Sequence, residues 1–205
     1  MATSTRTPLS SKENLLKHGM RRFYATGYNG TSLDAVLVSA QLPKGSFYHH
    51  FSSKEAFAMA VLGEYHKGSA QRLQRWATNL DIPAPERLRG YMEEMAFGLE
   101  RGGNRQGCLV GKFSLEMAPT SEKFSTLLST MLSSWRASVQ NILQEGQAAG
   151  TIRNDLPAVA LATLVLSSIQ GAVVLCLAHK NSLPMHETCA TVYRLILPPA
   201  VTSGE

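Results

Sequence analysis

Residues 31–54 read TSLDAVLVSAQLPKGSFYHHFSSK, and the proline inside this stretch constrains the fold more than any other feature of the chain. Ahead of it, Thr31 or Ser32 supplies an N-cap, and Leu33, Val36, Leu37 and Ala40 line one apolar face over about two helical turns. Pro43 disfavours helix at Leu42 yet is preset for a first helical turn. One helix must therefore stop near Gln41, and another must begin near Pro43 or Lys44 and run to His50. Two short helices across a three- or four-residue turn make a helix-turn-helix, the layout whose second helix enters the major groove of DNA.

The second helix carries chemistry suited to that role. Phe47 and Phe51 stand four apart and pack inward together. That leaves Lys44, Ser46, Tyr48, His49 and His50, a donor-rich set, for the outer face and flanks. Gly45 removes a side chain where the helix would come nearest the duplex. The expected base contacts are Lys44, Gly45, Ser46 and His49, and the expected phosphate contacts are Thr31, Tyr48, His50 and Lys54. A plain surface helix with two aromatic anchors uses the same residue types, so the pattern alone does not decide.

The ordered run Thr31-Ser32-Leu33, then LPKGSFYHHF at 42–51, then Ser53-Lys54-Glu55-Ala56-Phe57 resembles the DNA-binding signature of the TetR family of bacterial repressors. Leu15, Leu16, Met20, Phe23, Gly27 and Tyr28 fall where that family's first helix and following turn would be. The resemblance implies an all-α protein with a three-helix DNA-binding head at 1–52. A larger ligand-binding and dimerisation body follows at 53–205, and a long fourth helix joins the two. It further implies a homodimer on a near-palindromic operator, released by a small-molecule inducer.

Charge distribution agrees. Residues 1–57 hold seven Lys or Arg against three Asp or Glu, whereas the remainder hold thirteen against twelve, so most of the net charge of +5 sits with the proposed DNA reader. Cys108, Cys176 and Cys189 form no disulfide framework and no metal-binding pair, which points to a reduced, cytoplasmic setting with no metal and no cofactor. The first residues lack the apolar segment of a signal peptide, and Arg6 is a candidate for the minor groove or phosphate backbone.

The rest of the chain reads as helices. They are expected at 11–26, 53–80, 85–100, 108–117, from Thr120 or Ser121 to about 146, at 157–179 and at 184–197, with a proline break at 81–85 and a loop at 101–107. Residues 156–179 contain no Lys, Arg, Asp or Glu. A membrane span passes that test, but Thr163, Ser167, Ser168 and Gln170 interrupt its centre, so a buried helix at a dimer interface is expected. Val159, Thr163, Leu166, Gln170, Val173 and Leu177 mark one of its faces, and Ala162, Val165, Ile169, Ala172 and Cys176 another. With the last helix it would build a twofold four-helix contact.

Cys108 follows Gly107 at the expected start of a helix, where exposed amides stabilise a thiolate and Arg105 and Lys112 are close in sequence. The Gly-Cys-Leu block at this distance from the head resembles a subgroup of electrophile-responsive repressors. In that subgroup a lysine late in the penultimate long helix lies near the sensing cysteine, and Lys180 is in the matching region. The other reading is a noncovalent apolar or aromatic ligand among Tyr91, Met95, Phe97, Phe113, Met117, Met131, Trp135, Ile169 and Val173. No HExxH, GxSxG, P-loop or Rossmann fingerprint supports an enzyme, and a helical adaptor is the remaining rival.

Overall fold

The computed structural model describes residues 9–199, and among them it contains nine α-helices and no strand. The reading suggested for Arg6 lies outside the described residues. Helix α1 (Ser11–Thr26) opens with a capping box in which Ser10 and Glu13 satisfy each other's orphan donors, and it closes at Gly27. Helices α2 (Leu33–Ala40) and α3 (Lys44–His50) meet across the turn dictated by Pro43, with Ser32 capping α2 and Gln41 in the left-handed conformation ending it. Helix α4 (Lys54–Ala77), capped by Ser53, is followed by α5 (Ala84–Arg101), α6 (Leu109–Glu116) and α7 (Glu122–Ala148), the last capped by Ser121. Helices α8 (Ala158–His179) and α9 (Leu183–Ile196) complete the body.

Two apolar cores hold these helices. The first gathers Leu15, Leu16 and Phe23 of α1, Val36, Leu37 and Ala40 of α2, and Phe47 and Phe51 around α3. Phe57, Ala58, Val61 and Leu62 of α4 close it, and Phe113, Phe124 and Leu128 join from α6 and α7. Aromatic rings form its centre, with Phe23, Phe57 and Phe113 and the edge of Phe47 within 6 Å of one another in successive pairs. The second core lies among the end of α4, α5, the second half of α7, α8 and α9. The head is thus roofed by body helices, and α4 contributes to both cores.

Polar ties fix the long helices. Arg87 is buried, donating from Nη1 to the Ala77 carbonyl at 2.5 Å and from Nη2 to Glu145 at 2.7 Å, which joins the end of α4 to α5 and α7. Glu94 accepts from Arg75 and from the Trp76 indole, at 2.9 and 2.7 Å, a second α4–α5 lock.

Helix α8 is long and apolar enough to cross a membrane by composition. Its side bearing Ala162, Val165, Ile169, Ala172 and Cys176 is instead packed inside the body. The other face named in the sequence is only partly covered. Val173 is buried and Gln170 and Leu177 half-buried, while Val159, Leu164, Val174 and Leu175 are exposed, with Leu183 and Leu195 of α9.

Candidate DNA-reading face and effector cavity

Helix α3 is mounted by its aromatic side. Phe47 is fully buried, its ring 5.5 Å from Phe51 and 5.3 Å from Phe57, so the opposite side must face outward. Lys44, Gly45, Tyr48 and His49 are exposed there, and Ser46 and His50 are half-buried on the flanks. Helix α2 is held at its angle by α1, because Asn14 donates to the Ala40 carbonyl at 2.9 Å and His18 pairs with the Ser39 hydroxyl at 2.7 Å. This is a donor-rich helix projecting from a rigid mount, as groove reading requires. Lys54 stands with its ammonium 4.3 Å over the Tyr28 ring, and burial lowers its pKa.

Thr31 departs from its expected role. It is buried, its hydroxyl donates to the Gly27 carbonyl at 2.6 Å, and it pairs with Thr26 at 2.8 Å. A hydroxyl committed to its own turn is not free for phosphate, and Ser32, exposed at the α2 N-cap, is the outward neighbour.

In the body, Cys108 is the N-cap of α6, and its Sγ accepts from the Gly111 amide at 3.3 Å. Glycine on both sides lets α8 come close. A Cβ at Gly107 would lie 2.8 Å from Leu177, and one at Gly111 would lie 2.7 Å from the Gln170 side-chain oxygen. Cys108 is half-buried and borders three voids, one of them a space of about 170 Å³ among Tyr24, Tyr65, Met95 and Val173. A cavity of about 60 Å³ is lined by Tyr65, Arg72, Tyr91, Met95, Met131 and Trp135 among others. A cleft of about 570 Å³ between α6 and α8 is lined by Tyr24, Arg105, Lys112, Gln170 and Val173 among others.

The phenols around Cys108 remain protonated donors. Burial, and then the neighbouring Cys108, pushes Tyr24 up to about 12, and the same two causes with Tyr24 raise Tyr65 well above its ordinary value. Burial likewise raises Tyr91. The Trp135 indole N–H, close to the Tyr91 hydroxyl, is buried with no partner in hydrogen-bond geometry, and so is one amide N–H group of Gln170. Cys176 and Cys189 are buried, and their thiols are raised by that burial.

Residues 10–61 match the family described as bacterial regulatory proteins, tetR family, and residues 84–192 match the tetracyclin repressor-like C-terminal domain. The chain belongs to the TetR family. It is similar to the HTH-type transcriptional repressor DhaR of Mycobacterium sp. (strain GP1), 33% identical over 94% of each chain. A regulatory protein TetR from Rhodobacter sphaeroides has a similar structure, with TM-score 0.87 and 28% identity over 91% of this chain and 99% of that one. The reduced form of Escherichia coli NemR, a transcriptional repressor, gives TM-score 0.85 and 27% identity over 93% and 99%. This TetR-family chain is a transcriptional regulator and not an enzyme.

Of the ligand-site residues expected from the TetR-like sequence, the structure gathers Cys108, Tyr91, Met95, Met131 and Trp135 in the smaller cavity and Val173 in the cleft. It places five elsewhere. Phe113 and Met117 belong to the aromatic core beneath the head, because α6 turns that face toward Phe23 and Phe124. Ile169 is fully buried in the body core between helices. Phe97 is exposed on the outer side of α5. Lys180 is the exposed left-handed residue that ends α8, and it lines none of the three voids at Cys108. Tyr24, Tyr65 and Gln170 were missed as Cys108 neighbours, since no local pattern ties α1, α4 and α8 to a cysteine in another helix.

Proposed function

We propose that this TetR-family repressor is cytoplasmic and leaves its near-palindromic operator when a small electrophile or oxidant modifies Cys108. Residues 1–52 form the reading head and 53–205 the ligand-binding and dimerising body. Lys44, Gly45, Ser46 and His49 meet base edges, and Tyr48, His50 and Lys54 meet phosphate. The observation that carries the sensing assignment is that Cys108 is half-buried, borders three voids and caps α6 through its sulfur. The Gly111 amide donates to the sulfur, and the phenols of Tyr65 and Tyr24 stand beside it. The described reduced state of NemR is in keeping with redox chemistry in that relative.

With a maleimide the step is a conjugate addition. The thiolate forms a C–S bond at the ring alkene, the π electrons pass to the carbonyl, and solvent returns a proton to the adjacent carbon. The adduct leaves a weaker thioether acceptor at the α6 cap and occupies the space beside Cys108, so the effector state and the DNA-bound state compete.

A noncovalent apolar or aromatic inducer is the second reading, favoured by the unpartnered Trp135 N–H among Tyr91, Met95 and Met131. One experiment separates the two. Anisotropy is measured on a duplex that the protein selects from a random pool, before and after N-ethylmaleimide, for wild type and Cys108→Ser. Release of wild type alone supports Cys108 sensing. Retention of both on DNA overturns it and leaves the noncovalent reading.

A further inference from the structure

Helix α6 carries Cys108 at one end, and at the other it is tied to the head by charged groups that the proposed DNA contacts do not use. The Glu116 carboxylate, at the last residue of α6, accepts from the Tyr28 backbone N–H at 2.8 Å and from the Asn29 N–H at 2.6 Å. One turn earlier on the same helix, the Lys112 ammonium donates to the Tyr24 carbonyl at 2.8 Å. Tyr24 lies in the last turn of α1, and Tyr28 and Asn29 lie in the turn that leads from α1 into the helix-turn-helix. The head turn is shaped around the carboxylate. Gly27 has φ +72°, and a Cβ there would stand 2.5 Å from Glu116 Oε2.

We propose that Glu116, with Lys112, is the positioning clamp through which the body fixes the orientation of the DNA-reading head. This rests on the reading of the chain as an effector-released DNA binder. Paired backbone donors on one carboxylate are directional as well as strong, so they fix rotation where an apolar contact would let the head slide. The alternative source of rigidity, the aromatic core below, is non-directional. The nearby surface pair of Lys123 on α7 with Glu55 on α4, at 3.5 Å, lies within the body and is long and exposed, so it does not hold the head.

Helix α6 spans about 12 Å at about 1.5 Å per residue, short enough to move as one rigid piece. A displacement where Cys108 caps the helix is therefore delivered at Glu116 and Lys112. These are the residues holding α1 and the turn before α2. The clamp acts through the head and does not touch DNA, so its removal must change how two heads are spaced and leave their intrinsic attraction for duplex intact.

The test uses the full chain with Glu116→Ala, Glu116→Gln and Lys112→Met, on a duplex selected by the wild type, on the same duplex with one base pair inserted between half-sites, and on unrelated duplex. Glu116→Ala is expected to weaken selected-duplex binding about tenfold, with Glu116→Gln between it and the wild type because one acceptor oxygen remains. Discrimination against the inserted duplex falls in the same order, Lys112→Met follows in the same direction, and unrelated-duplex affinity stays within about twofold. Thermal melting confirms that the variants are folded. Unchanged affinity and unchanged spacing preference in both Glu116 variants overturn the clamp, as does an equal loss on all duplexes. Failure of the wild type to bind any duplex in a salt-dependent manner removes the DNA-binding reading itself, a result distinct from either.

Discussion

A Cβ added at Gly45 would meet no atom within 4 Å, and its φ is not in the left-handed region. The fold therefore does not require glycine there. Gly45→Ala should raise stability by about 0.5–1 kcal/mol through helix propensity. It should lower affinity for the selected duplex several-fold by placing a methyl group where the helix meets the groove. Thermal melts and anisotropy on the same preparation check both halves, and a variant that gains stability without losing affinity would remove Gly45 from the reading surface. Tyr24 gives a pH prediction. Its folded pKa of about 12 exceeds the ordinary 10.0, so its contribution is fully present below pH 10 and is lost as pH rises toward 12. Urea midpoints measured from pH 9 to 11.5 should fall with pH, and less steeply in Tyr24→Phe. An unchanged slope would mean that the phenol ionises as readily in the folded protein as in the unfolded one.

At the scale of elements, helix boundaries follow from local chemistry and the contacts between helices do not. Ser10, Ser32, Ser53 and Ser121 each cap the helix that follows them, and Pro43 and Gly27 enforce the breaks around α1–α3. The loop at 101–107 and the start of α6 at Cys108 were likewise readable, because glycines and a change of periodicity mark them. Which face of α6 meets the head was not readable, since Phe113 and Met117 are as suited to a ligand cavity as to a core. Arg87 shows the same limit. Its position in α5 carries no signal, yet it is buried and ties three helices. Arg87→Met should cost about 2 kcal/mol in urea denaturation, a moderate loss because the released Glu145 is half-exposed and can be resolvated. A loss under about 0.5 kcal/mol would show the ties to be incidental.

At the scale of the whole molecule, Val159, Leu164, Val174 and Leu175 of α8, beside Leu183 and Leu195 of α9, are exposed and apolar, the kind of surface that a second copy would cover. Val174→Asp should shift the protein to monomer in sedimentation velocity and weaken operator binding at least tenfold, since one head alone holds one half-site. Full retention of the dimer would place the contact elsewhere. The amino-acid sequence by itself determined the helical class, the helix ends, the helix-turn-helix of α2 and α3 and the placement of Cys108 at a helix start. Caps, prolines and the spacing of Phe47 and Phe51 act over a few residues and leave a local record. Only the tertiary structure decided that Thr31 turns inward, that Tyr24 and Tyr65 surround Cys108, that Lys180 stands apart and that Glu116 grips the head. Those outcomes depend on how helices far apart in the chain rotate to fill two shared cores, and side-chain packing of that kind has no period along the sequence.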